Sequence, residues 1–447
     1  MQGGYIMNSH LNKQFWKYVL PSMCITTLGV FYGIVDGFFI GRTVGDNGLA
    51  AINMAWPITA LITATSTGIG IGGSVLMSTR QGENDIVGTR KSRGNTILLL
   101  ATFTILFTCA FSLFTRQIIS FLGAKNELLK LASDYTRVIA LGCGFQIFSI
   151  GINPILRNNG KPNLAMSFMI VGLVGNIMLD GLFIRVFGWG LLGAAFATVV
   201  AQSFAAILSL IALFSDKNHP ICITDCKPDK FILPKIFKIG LSPFGLSFAP
   251  SAIIIITNWQ SLNYGGTTAV AAYSVLSYGT QTIQAMLQGA GDGVQPLVSY
   301  YNGSNEQENI SYLQKKTLHF TIIVASILTM VFILMRRIFP VIFGASMAVS
   351  RMVYSGMIIS SFAFVFSGLN RFTCAFFYAI DRPKLSSLLV YLEPLIVSPI
   401  CLLLLPILWG INGIWIALPV SQFIISIISI YLLKRYKEEI QLTPSHT

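Results

Sequence analysis

The stretch GAAFATVVAQSFAAILSLIALF, residues 193–214, runs for 22 positions without a charged side chain. About 20 helical residues cross a hydrocarbon core about 30 Å thick, so its length and chemistry predict a membrane-spanning helix. Eleven further apolar runs share that character. Five precede it, near residues 15–40, 50–77, 95–115, 133–154 and 164–186; six follow it, near 240–261, 268–299, 317–335, 352–375, 386–408 and 412–433. None shows the short-period alternation of a barrel strand. The expectation is an all-α integral membrane protein with twelve transmembrane helices.

Composition excludes the other classes. Of 447 residues, 53% are apolar and 11% charged, whereas a soluble domain carries about 25% charged residues. A mean hydropathy of +0.69 leaves too little polar surface to coat a water-soluble body. Seven cysteines in so long a chain do not make a disulfide scaffold, and the apolar content rules out disorder. The run 15–40 is longer than a signal core and lacks a small-residue cleavage site, so no cleavable leader is expected.

The net charge of +13 invites a nucleic-acid reading. The basic residues sit in short loops, however, which is the pattern of the positive-inside rule, and no nucleic-acid partner is expected. An even number of spans puts both termini on one side. That side holds 21 of the 30 Lys and Arg, including Arg80, Arg90, Lys91 and Arg93, so both termini are placed in the cytoplasm of a multi-pass cell-membrane protein. No basic residue is assigned to the middle of a span.

The halves repeat at an offset of about 221 residues. Gly68-x-Gly70-x-Gly72 recurs as Gly289-x-Gly291-x-Gly293, Ser78 and Gly82 as Ser299 and Gly303, Gly123-Ala124 as Gly344-Ala345, and Pro162 as Pro383. Trp189-Gly190, Gly193 and Gln202 recur one residue earlier, as Trp409-Gly410, Gly413 and Gln422. Such self-similarity marks a duplicated unit. Residues 1–214 are therefore expected to form an N-terminal lobe and 240–447 a C-terminal lobe. The polar segment 215–239, which opens Ser215-Asp216-Lys217-Asn218-His219, would be a cytoplasmic linker. Six spans per copy give both lobes the same orientation, hence pseudo-two-fold symmetry about the membrane normal, and duplicated bundles of this kind enclose a central cleft.

Leaving aside Asp134 at the very edge of its run, four acids fall within spans: Asp36, Asp180, Asp292 and Glu393. Charged groups there are costly and are functional candidates by default. Asp36 and Asp180 each precede the outer end of an outward-running span by about four residues, about 6 Å at 1.5 Å per residue. Asn176 lies one turn deeper than Asp180 on the same face. Thr198 and Tyr135 fall in the same layer from two further helices. Two carboxylates close together in a low-dielectric site would hold either a shared proton or a cation, and oxygen ligands suit Na⁺ better than a transition metal. Tyr135 would hydrogen-bond to this set from outside it. At the repeat offset Asp36, Asn176, Asp180 and Thr198 become Thr257, Val397, Cys401 and Leu418, so coupling is expected in the first lobe alone.

Several stretches resemble the multidrug and toxic compound extrusion (MATE) transporters, and more loosely their DinF-like and MepA-like branch. They are Val35-Asp36-Gly37-Phe38-Phe39-Ile40-Gly41-Arg42, Leu122-Gly123-Ala124, Leu156-Arg157-Asn158-Asn159-Gly160-Lys161-Pro162, Asn176-Ile177-Met178-Leu179-Asp180-Gly181-Leu182-Phe183-Ile184, and Gly193-Ala194-Ala195-Phe196-Ala197-Thr198. The resemblance covers essentially the whole chain. It implies export of amphipathic organic cations driven by a proton or sodium gradient, with Asp36, Asn176, Asp180 and Thr198 as the cation site. It also makes Pro21 a hinge in the first span. Another branch of that family uses acids in spans 7 and 10, and neither span carries one here.

Glu393, Gln284 and Gln288 are candidates for lining a substrate cleft, with interhelical bonding as the competing account of the glutamines. Asp292 is expected near water at the cytoplasmic end of its span. Gly68-x-Gly70-x-x-Gly73 fits a dinucleotide fingerprint by letter but lies inside a span, where close helix packing explains it. His219, Cys222 and Cys226 lack a fourth ligand for zinc. No P-loop, Ser-His-Asp set or HExxH motif appears, so no enzyme activity and no cofactor are expected beyond H⁺ or Na⁺ as the coupling ion. A monomer in lipid is expected. The rival reading is a lipid-linked-sugar flippase, which would need a cleft rich in Arg and Lys.

Overall fold

The fold is that of a computed structural model, which describes residues 2–217 and 219–442. Asn218 of the expected linker lies outside the described residues. Every regular element among them is helical. The first half comprises α1 (Gln2–Thr43), α2 (Asp46–Gly82), α3 (Ile86–Phe121), α4 (Asn126–Asn158), α5 (Pro162–Asp180) and α6 (Gly190–Phe214). After the linker come α7 (Ile232–Gly303), α8 (Gln307–Leu334), the short α9 (Phe339–Ile342), α10 (Met347–Ser361), α11 (Ala363–Ala379), α12 (Pro383–Leu392), α13 (Ser398–Trp409) and α14 (Ile411–Leu442).

Ten stretches are long and apolar enough to cross a bilayer, and α10 with α11, bent by 48°, makes a further span. One of the ten, α7, is two spans. Its 72 residues are interrupted at Gly266, where φ is +63°. That value is open to glycine at little cost. The matching residue in the first half is Gly45, φ +75°, which turns the chain from α1 into α2. Counted so, the described residues give twelve spans. Other left-handed corners recur in the same register: Asn84 with Asn305, Gly123 with Gly344, Gly160 with Asp381, and Gly190 with Gly410. Pro162 and Pro383 open α5 and α12, where a missing N–H removes no helical bond.

The chain divides into two compact units, Met1–Phe248 with Pro296–Gln307, and Ala249–Gln295 with Glu308–Thr447. In the first, α2 is enclosed on three sides and its glycines are the reason. A Cβ on Gly70 would strike the backbone of Gly151 in α4; one on Gly72 would strike Ile236 and Gly240 in α7; one on Gly73 would strike Thr96 in α3. The glycine run is thus a packing device. The counterpart of the Gly70 contact is found in the second unit, where a Cβ on Gly291 would meet Ala375 and Phe372 of α11. Side-chain pairs recur too. Ser149 hydrogen-bonds Gln202 at 2.5 Å, and its repeat mate Asn370 bonds Gln422 at 2.9 Å.

One contact joins the two copies reciprocally within the first unit. A Cβ on Gly82 would meet the Tyr300 carbonyl, and a Cβ on Gly303 would meet the Thr79 carbonyl. Since 79 and 82 are the repeat mates of 300 and 303, each copy presents the same surface to the other, the signature of a two-fold contact.

The segment after α6 is tied down by charge. Asp216 pairs with Lys161 at 3.0 Å and with His219 at 3.1 Å. Burial alone would raise its carboxyl, but these two partners outweigh that and hold it below the usual carboxylate range. Further along, Asp225 binds Arg90 at 3.0 Å, while Asn95 donates to the Lys227 carbonyl and accepts from the Asp229 amide. Large side chains such as Ile105, Leu113 and Phe114 are exposed, as a lipid-facing surface requires.

The glycine contacts make a direct prediction. Gly70→Val should lower the unfolding midpoint of detergent-solubilised protein, at a cost of about 1–3 kcal/mol for overpacking. Gly29→Ala, where a Cβ meets nothing within 4 Å, should leave it unchanged or raise it. Equal midpoints for the two variants in a thermal size-exclusion assay would refute this account of α2.

Candidate functional site

In the first unit α5 packs against both α1 and α6. Asp36 lies seven residues before the end of α1 and Asp180 is the last residue of α5, followed by a turn of π-helix, Gly181–Val186. Each therefore sits about 10 Å inside the end of its continuous helical rod. The structure brings together the acids that the sequence placed in one layer. Asp180 and Asn176 are fully buried and Asp36 is 8% exposed. Asp180, Asn176 and Thr198 all stand within hydrogen-bonding reach of Asp36.

The polar groups are under-satisfied. Thr198 Oγ1 donates to Asp36 Oδ2 at 3.2 Å. Asp36 Oδ1, both carboxylate oxygens of Asp180, and both Oδ1 and Nδ2 of Asn176 are buried without a hydrogen bond of good geometry. Leaving such atoms unpartnered costs about 1–3 kcal/mol each, more where the group is charged. Four of the five are acceptor oxygens and the fifth, Asn176 Nδ2, is a donor; a proton or a small cation would complete the oxygens. Asp36, Asp180, Asn176 and Thr198 offer hard oxygens and no sulfur or imidazole.

Tyr135 of α4 is buried within electrostatic range of both carboxylates. It forms no hydrogen bond to either, contrary to the expectation. Sequence reasoning passed over Tyr32, one turn before Asp36 on α1, which is buried, within range of Asp36, and so close to Gly172 that a Cβ there would meet its hydroxyl. The i, i+4 spacing from Asp36 was the available signal. Pro21 lies inside the unbroken α1, where it removes an N–H from the ladder. Beside it, Arg157 donates to Ser22 Oγ at 2.9 Å.

The second unit does hold a basic residue within a span. Arg371 stands in α11, eight residues before the end of the span that α10 and α11 make together. Gln284 and Gln288 are its hydrogen-bond partners, at 2.8 Å and 3.5 Å. Glu393 opens a second π-helical turn, Glu393–Val397, and accepts a hydrogen bond from Gln422. Asp292 is buried and bonded to Gln288 and Tyr378, not placed against water.

A polytopic helical membrane protein with a duplicated six-span unit and a buried, under-coordinated acid pair is the class these features define. The protein-family model MatE matches residues 21–182 and 246–403, and the chain belongs to that family. It is 26% identical to the multidrug export protein MepA of Staphylococcus saprophyticus, over 96% of each chain. It is 25% identical to MepA of Staphylococcus aureus, again over 96% of each. A multidrug resistance MATE family transporter of the MOP superfamily, solved in an outward-facing conformation, superposes with a TM-score of 0.92 at 22% identity, covering 97% of each chain.

The unequal hydrogen bonding gives a test of the site. Thr198→Val removes the donor to Asp36 and should lower the unfolding midpoint by the equivalent of about 1–3 kcal/mol. Asn176→Leu replaces two unpartnered buried atoms with a side chain of similar shape and should raise the midpoint or leave it alone. Thermal unfolding in detergent at fixed pH and salt decides; destabilisation by Asn176→Leu as large as by Thr198→Val refutes the assignment of unpartnered groups.

Proposed function

We propose that this chain is a cation-coupled secondary antiporter that exports amphipathic organic cations by alternating access. The observation that carries the reading is the buried set Asp36, Asn176 and Asp180, with five acceptor or donor atoms unpartnered and Thr198 alone bonded to it. The MepA relatives are multidrug export proteins, which supports the substrate class.

An incoming H⁺ or Na⁺ is the substrate of this site. A proton would bridge the Asp36 and Asp180 carboxylates and relieve their repulsion; Na⁺ would take oxygens from Asp36, Asp180, Asn176 and Thr198. Either ion changes the net charge of the layer where α1, α5 and α6 meet, and so favours one arrangement of these helices over another. Pro21, fifteen residues before Asp36 in α1, is the weak point at which that helix would bend. The membrane potential supplies about 2.3 kcal/mol per charge per 100 mV, with the chemical gradient added to it.

The flippase alternative has one observation in its favour, Arg371 within α11. Its bonded neighbours Gln284, Gln288 and Ser367 are neutral, however, and a pyrophosphate calls for several cations together.

Ethidium efflux from vesicles, driven separately by imposed H⁺ and Na⁺ gradients, tests the proposal. Efflux is expected with at least one gradient, and Asp36→Asn and Asp180→Asn should each abolish it while the protein still inserts in the membrane. Full efflux by both variants would remove the acid pair from the coupling step.

A further inference from the structure

The first eight residues of α7, 232–239, precede the apolar run that begins near residue 240. At 1.5 Å per residue they carry the helix about 12 Å past the end of that run, through the layer where phospholipid headgroups lie. The chain here is basic. Lys227, Lys230, Lys235 and Lys238 fall within twelve residues, and Asp229 is the one acid among them. All four lysines are exposed.

The acids of the linker are already engaged. Asp229 Oδ1 accepts from the Phe231 and Ile232 amides at 2.9 and 3.2 Å, while its Oδ2 stands 3.9 Å from Lys91. Asp225 binds Arg90, and Asp216 binds Lys161. Among the described residues none of the four lysines forms an ion pair. Lys230 lies instead over the ring of Phe231, 5.2 Å from its centroid.

The two faces of this segment differ sharply. Ile232, Ile236, Ile239 and Gly240 are buried, and α2 approaches so closely that a Cβ on Gly72 would strike the backbone of Ile236 and Gly240. The opposite stripe, Phe231, Pro234, Lys235, Phe237, Lys238 and Leu241, is exposed. Phe231 is 71% open and Leu241, the first turn of the apolar run, 50%. A ring so open beside lysines suits the interface, where cations meet phosphates and aromatic groups enter the acyl boundary. The backbone that presents the lysines is held in place: Asn95 of α3 donates to the Lys227 carbonyl at 3.1 Å and accepts from the Asp229 amide at 2.9 Å. Little ordering is left for binding to require.

We propose that residues 227–241 form a docking surface for anionic phospholipid, in which the four lysines hold headgroup phosphates and Phe231 enters the interfacial layer between them. Charge complementarity selects the occupant. Four cations without acids of their own answer a headgroup with net negative charge, such as phosphatidylglycerol; a zwitterionic headgroup brings its own cation and gains less. The stripe runs on into the apolar part of α7 through Leu241, so the surface continues into the membrane. None of Asp36, Asn176, Asp180 and Thr198 takes part in it.

Lipid titrations of the full-length protein in detergent test the assignment. The unfolding midpoint is followed as dioleoylphosphatidylglycerol, dioleoylphosphatidylcholine or inorganic phosphate is added, since a ligand of the folded state raises it once its concentration passes the dissociation constant. In wild type phosphatidylglycerol should act at a concentration at least tenfold below phosphatidylcholine, and inorganic phosphate should leave the midpoint in place. Lys227→Gln, Lys230→Gln, Lys235→Gln and Lys238→Gln combined should keep the lipid-free midpoint and raise the phosphatidylglycerol concentration required about tenfold or more, each lysine near an anionic surface being worth about fivefold. The half-sets Lys227→Gln with Lys230→Gln, and Lys235→Gln with Lys238→Gln, should each raise it about fivefold or more, which keeps the test decisive if the full set does not fold. Phe231→Ser should weaken both lipids alike. Lys434→Gln, Arg435→Gln and Lys437→Gln combined, at the end of α14, should leave the response near that of wild type. An unchanged phosphatidylglycerol response in the lysine variants, an equal loss in the α14 variant, equal action of the two lipids on wild type, or a rise with inorganic phosphate alone each overturns the proposal.

Discussion

A carboxylate that leaves water for the interior of a helical bundle must be offset by a donor, a counter-charge or a proton. Asp36 and Asp180 receive one threonine hydroxyl between them. The rest of the first unit is arranged around that deficit. Three helices converge to bury the pair, Tyr135 and Tyr32 stand buried near it, and Asn176 contributes two more polar atoms that find no partner. Such a site is poor at stabilising a fold. Stability is supplied elsewhere, by the glycine-mediated contacts that let α2 approach its neighbours at backbone distance.

The duplicated architecture separates shape from chemistry. The corners recur pair by pair, including Gly45 with Gly266 and Asn84 with Asn305, as do the Ser149–Gln202 and Asn370–Gln422 bonds. The charged groups do not recur. One copy holds the two acids Asp36 and Asp180 together; the other holds Arg371 among amides with Asp292 and Glu393 near it. Each π-helical turn among the described residues adjoins an intramembrane acid, Asp180 in one copy and Glu393 in the other. Such turns carry one residue more than the α-helix needs and are frequent at functional sites.

Much of this was legible in the sequence, for identifiable reasons. Uncharged runs reveal spans because the bilayer imposes a length on them, and a fixed offset reveals the duplication. Equal distances of Asp36 and Asp180 from their span ends sufficed to place them in one layer, because helical rise converts residue number to depth. The helices extend well beyond the apolar runs: residues 95–115 were expected where Ile86–Phe121 is found, because the flanking Ser92, Asn95 and Thr96 are buried and bond to nearby carbonyls. Arg371 carries no signal of its own in the sequence. It lies near a run's end, and its partners Gln284 and Gln288 are 87 and 83 positions away, so no local pattern betrays them. Tyr135 stands near both carboxylates, but a hydroxyl's bonding direction cannot be read from depth.

The meeting of Gly82 with Tyr300 and of Gly303 with Thr79 has a genealogical consequence. Because each partner in that contact is the other's copy, a half-length ancestor had no means of making it inside one molecule. It would have formed only when two identical chains came together, each offering its bare glycine to the other's backbone. Tandem fusion then turned an encounter between molecules into a permanent internal seam, and freed the two halves to part company in charge while that seam stayed as it was.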